Sequence, residues 1–81
     1  NKYWRYKMMP LSMANSNEKV MIFKTGGNSE VKKHLGDIGF VPGTVLSVIS
    51  QHSGDVIVNL KESHLAITKD LAQKIIVNLV N

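Results

Sequence analysis

The residues of this chain best able to do chemistry are its three histidines, each with an acid close in sequence. Glu30 stands four residues before His34, Asp55 three after His52, and Glu62 two before His64. On a helix, the i, i+4 spacing of Glu30 and His34 sets an imidazole and a carboxylate on one face, the beginning of a divalent-metal site. A single pair is an incomplete ligand set, and no two histidines are spaced to share an ion. Solvated surface histidines are therefore the expectation, with His34 and Glu30 the pair nearest to a metal site.

Other chemistries have less to stand on. There is no nucleophile elbow, phosphate loop or paired-carboxylate motif, so the sequence reads as a non-enzyme. Cysteine is absent, which removes disulfides, thiolate metal sites and cysteine nucleophiles and fits the cytoplasm. Gly26-Gly27-Asn28 precedes a helical pattern and could cradle an anion, but without a longer glycine pattern a strand-to-helix turn explains it.

Eighty-one residues make one small domain, in which nearly every large apolar residue of the patterned region must serve the core. The formal charge of +4 is unevenly placed: Lys2, Arg5 and Lys7 carry +3 of it in the first seven residues, alongside Tyr3, Trp4 and Tyr6. Residues 1–10 are read as a basic, aromatic tail, either a frayed terminus or a partner-binding arm. From residue 8 onward, seven Lys face six acids, a balance that does not suggest a nucleic-acid binder. The longest apolar run, Val20-Met21-Ile22-Phe23, is far short of the roughly 20 residues that span a bilayer.

The elements that must position these residues are organised around Leu35 to Gly43. Val31, Leu35 and Ile38 share one side of a helix, and Gly39 ends it. Val41-Pro42-Gly43-Thr44 has the preference of a type II turn, with positive φ required at Gly43. Met8 to Ala14, with Pro10, suggests extended chain or an edge strand. Glu18 to Lys24 is the first confident strand, with Val20, Ile22 and Phe23 toward the core. Asn28 or Ser29 caps the helix, and Gly36 within it suggests either close packing or a helix that frays early. Val45 to Gln51, apolar on both sides, pairs as a hairpin with Val56 to Leu60, whose Val56, Val58 and Leu60 share a face. His64 to Ile67 is a short strand, Thr68 caps a helical turn, and Ile75 to Leu79 closes the fold. The expectation is an all-β domain, a five-stranded, partly open barrel over residues 11–81. One short helix follows its first strand and a helical turn precedes its last.

The ordered set Leu35, Ile38, Gly39, Phe40, Pro42 and Gly43, with Leu46 or Val48, then Gly54-Asp55, then Leu65-Ala66-Ile67, then Ala72, Ile75 and Val77, resembles the FeoA domain of bacterial ferrous-iron transport, an SH3-like barrel. Two positions depart from that pattern. Many members have Pro soon after Gly-Asp, where this chain has Val56 and Ile57, and many have Arg where it has Thr68.

The resemblance implies a small cytoplasmic accessory protein that is not itself membrane-spanning. It would dock on the cytoplasmic part of the Feo permease, the GTPase domain being one site suggested for the family, and reach the membrane only through that partner. Association with Fe(II) comes from the family alone, and no cofactor is implied. Val41 is the exposed apolar candidate for the partner surface, with His34, Asp37 and Thr68, whereas Ile38 and Phe40 are assigned to the core. Two alternatives stand beside this reading. One is the SH3-like regulatory module of iron-dependent repressors, present as a detached fragment. The other is a nucleic-acid-binding barrel, disfavoured because residues 45–60 contain no Lys, Arg or aromatic.

Overall fold

The computed structural model describes residues 8–80; the aromatic and basic residues 2–7 lie outside them. A single antiparallel sheet of six strands forms the domain, in the order β1-β6-β2-β3-β4-β5. In the chain these are β1 (Met8–Pro10), β2 (Lys19–Thr25), β3 (Val45–His52), β4 (Asp55–Leu60), β5 (Ser63–Ile67) and β6 (Ile75–Leu79). Helix α1 (Ser29–Asp37) joins β2 to β3, α2 (Lys69–Ala72) joins β5 to β6, and a 3-10 turn spans Leu11–Met13.

The sixth strand is a correction to the expected five. Met8–Pro10 pairs antiparallel with β6, Met9 opposite Val77, so the sheet begins inside the stretch assigned to the tail. Pro10 at the strand's end is compatible with that edge position because a proline has no N–H to leave unpaired.

Buried Leu11, Val20, Ile22, Leu35, Phe40, Leu46, Val48, Val56, Val58, Ile75 and Val77 fill the inside of the curled sheet. In β4 the alternation is as expected, with Val56, Val58 and Leu60 buried and Ile57 outside. Phe23 is 47% exposed, not core. Strict alternation sets Phe23 on the outer face with Met21, opposite Val20 and Ile22, and the slip in the pairing of β2 with β6 between Ile22 and Lys24 does not return it to the core. A second bulge, between Val48 and Ser50, accompanies an exposed Ile49 in β3. Val45 is exposed too, so β3 is apolar on both faces but buried on one.

Asn28 caps α1, its side-chain oxygen accepting from the Val31 N–H at 2.9 Å. The other end closes as a Schellman motif: the Phe40 N–H bonds to the Leu35 carbonyl at 2.8 Å and the Gly39 N–H to the Gly36 carbonyl at 3.1 Å. Leu35 and Phe40, bracketing that motif, are both buried. The turn at Val41 to Thr44 follows directly, with Thr44 N–H on the Val41 carbonyl at 3.1 Å and Gly43 at φ +91°. Ile38 departs from expectation. It lies just past the helix, at φ −89° and ψ 0°, and the chain reverses there, so its side chain is 37% exposed although its spacing matches the buried side.

Candidate functional site

An exposed apolar group lies where α1 gives way to β3. His34 and Asp37 on the last turn of α1 are exposed, and Ile38 and Val41 add apolar surface beside them, Val41 being 44% exposed. The Schellman closure and the Pro-Gly turn hold this patch by backbone bonds on both sides of Val41. Gly36 is not required by tight packing: a β-carbon built there would meet nothing nearer than Val41 Cγ1, at 4.0 Å. A β-carbon there would make ordinary van der Waals contact with Val41. A groove of about 360 Å³ runs from Asp37, Ile38 and Gly39 to Leu60, Lys61 and Leu65.

Gly54-Asp55 forms a second built feature. Ser53 and Gly54 are the two central residues of the β3–β4 hairpin and both have positive φ, the geometry of a type I′ turn. Asp55 Oδ1 accepts from the backbone N–H of Lys69 at 2.7 Å. Thr68 occupies the N-cap position of α2, but its side chain makes no capping bond; Asp55, from across the hairpin, satisfies the helix end instead. A groove of about 280 Å³ next to this corner is lined by Ser50, His52, Ile57, Ala66 and Thr68, among others.

The four residues expected at a partner surface therefore separate. His34 and Asp37 lie on the last turn of α1 and Val41 in the turn that follows it, whereas Thr68 lines the other groove, and the two grooves share no lining residue. Ala66 is exposed on the outer face of β5, and Ala72 is buried. His34, His52 and His64 are all exposed. Among the described residues, no group of three or more His, Asp or Glu converges as a metal site. None of their helices is long and apolar enough to cross a membrane.

Comparison with known proteins sets these features in a family. The FeoA domain profile matches residues 9–79, nearly the whole chain. The chain belongs to the FeoA domain family. It is 36% identical over 70 residues to the Methanocaldococcus jannaschii protein named "Putative Fe(2+) transport protein A", covering 86% of this chain and 85% of that one. The crystal structure of an iron uptake regulatory protein (FeoA) superposes with a TM-score of 0.85 at 25% identity, covering 91% of this chain and all of the other. A manganese-dependent transcriptional repressor shares the fold at a TM-score of 0.81 and 14% identity, over 90% of this chain and 41% of the repressor. FeoA proteins are small, transport-associated proteins rather than enzymes, and the small SH3-like β fold expected from the sequence is the fold of the family. The Gly-Asp pair and the Leu35 to Gly43 stretch each have a structural account: one clamps α2 to a hairpin, the other turns a helix into a strand.

Proposed function

We propose that this FeoA-domain protein is an accessory of Fe(II) uptake that acts by docking on the cytoplasmic domain of the Feo permease. The docking surface is the end of α1 and its turn, with Val41 as the apolar contact and His34 and Asp37 as its polar rim. The observation that carries this reading is the exposure of Ile38 and Val41 at a turn closed by backbone hydrogen bonds. Exposed apolar side chains beside polar ones are the usual makings of a protein contact. The proposed location is the cytoplasm, at the inner membrane surface when bound. Thr68, in the other groove, is proposed as a secondary contact.

Calorimetric titration of the full chain with the soluble cytoplasmic domain of its permease tests the reading. Saturable binding is expected, weakened at least about tenfold by Val41→Asp, since burying an unpaired carboxylate is costly. Absence of binding by the wild type contradicts it. The fold shared with the repressor keeps one other reading in view, a regulatory module that binds a repressor's own chain. That module would bind such a chain and leave the permease domain untouched.

A further inference from the structure

Among the described residues, the sheet order leaves two strands with a free side, β1 and β5, and they are unequally protected. β1 has three residues and ends in Pro10, which offers no N–H. β5 runs five residues, Ser63-His64-Leu65-Ala66-Ile67, with no lysine, acid, proline or bulge. Those are the devices that normally keep an exposed edge from pairing.

The hairpin fixes which backbone groups of β5 face outward. Leu60 pairs with Ser63 across a two-residue turn, with Lys61 at φ 50° and Glu62 at φ 70°. In such a hairpin the closing pair exchanges both hydrogen bonds, and bonding then alternates. Ser63, Leu65 and Ile67 therefore bond to β4, while the N–H and C=O groups of His64 and Ala66 point away from it.

We propose that this edge pairs with the same edge of a second copy of the chain, antiparallel about a twofold axis at Leu65. In that register His64 of each copy exchanges both N–H···O bonds with Ala66 of the other, so every outward group of the two residues is used. Leu65 meets its symmetry mate as a non-hydrogen-bonded pair, the arrangement that brings side chains closest. Leu65 also lines the groove with Ile38 and Leu60, beside the polar Asp37, Lys61 and Ser63, so the contact adjoins a surface of mixed character. Within the paired strands no like charges oppose each other, because β5 carries no Asp, Glu, Lys or Arg. The pairing is isologous and consumes the open edge of both copies, leaving among the described residues only the Pro10 edges, so assembly stops at the dimer. One strand pair is a small interface, and a Kd on the order of 0.1 mM is expected. This dimer does not depend on the permease reading.

Sedimentation equilibrium of the full chain from about 10 μM to about 1 mM tests it. The wild type should become dimeric at the upper end. Ala66→Pro deletes an outward N–H that β4 does not use and should raise Kd at least about tenfold. Two double variants provide a check independent of proline's effect on the strand. His64→Lys with Ala66→Lys, and His64→Glu with Ala66→Glu, each set like charges across the axis. Each should be monomeric alone, and the mixture of the two should dimerise. A wild type that stays monomeric at about 1 mM, or a dimer indifferent to these substitutions, overturns the proposal.

Discussion

The Asp55 carboxylate accepts a hydrogen bond from the backbone N–H of Lys69 at 2.7 Å, clamping the β3–β4 hairpin to a helix fourteen residues further along the chain. The bond satisfies a donor that a helix start otherwise leaves open, and its acceptor is charged. Asp55→Ala should therefore cost about 0.5–2 kcal/mol, as loss of a helix cap does. Asp55→Asn, which keeps an acceptor oxygen, should retain most of that stability. Thr68→Ala, at the nominal cap position but without a capping bond, should stay within about 0.5 kcal/mol of wild type. Urea melts of the three variants check the ranking, and equal losses at Thr68 and Asp55 would contradict it.

Two glycines separate backbone strain from crowding. Gly43 has φ +91° and open space where a β-carbon would stand, so Gly43→Ala should cost about 1–2 kcal/mol from conformation alone. At Gly54, φ is +95° and a β-carbon would lie 2.6 Å from Lys69 Cγ, so the Lys69 side chain must move as well. Gly54→Ala should be the more destabilising of the two in the same melts. The reverse order would mean that the Lys69 stem gives way without cost.

Leu35 and Val41 lie on opposite sides of the same closure and should respond oppositely. Leu35 is fully buried, and Leu35→Ala should destabilise by about 2–5 kcal/mol. Val41→Asp, at an exposed position, should change stability by no more than about 0.5 kcal/mol while weakening binding to the permease domain. A large stability loss at Val41 would make it structural and remove it from the docking surface.

What could be read from the residues was local. The Gly39 helix end, the Pro-Gly turn and the alternation of Val56, Val58 and Leu60 are each set by neighbours within a few positions. What could not be read depends on distant pairing. An edge strand was legible between Met8 and Ala14, but not its three-residue extent or its partner, β6, near the other end of the chain. Phe23, assigned to the core, is set outside by alternation from Val20 and Ile22. Ile38 has a buried residue's spacing, but helical periodicity stops applying where the helix ends. The Gly-Asp pair was legible as a turn; that its carboxylate holds α2 was not, because the acceptor and the donor come from separate elements. The patch at Val41 was legible through the turn that exposes it, whereas nothing local shows that Thr68 lies in a different groove.

The most direct test of the docking account is a heteronuclear NMR titration of the labelled full chain with the soluble cytoplasmic domain of its permease, repeated with Fe(II) alone under anaerobic conditions. The account predicts amide shifts clustered from His34 to Val41 with the permease domain and none with Fe(II). Shifts around His34, His52 and His64 with Fe(II) alone, and none with the permease domain, would contradict it and make the protein a metal-sensing module.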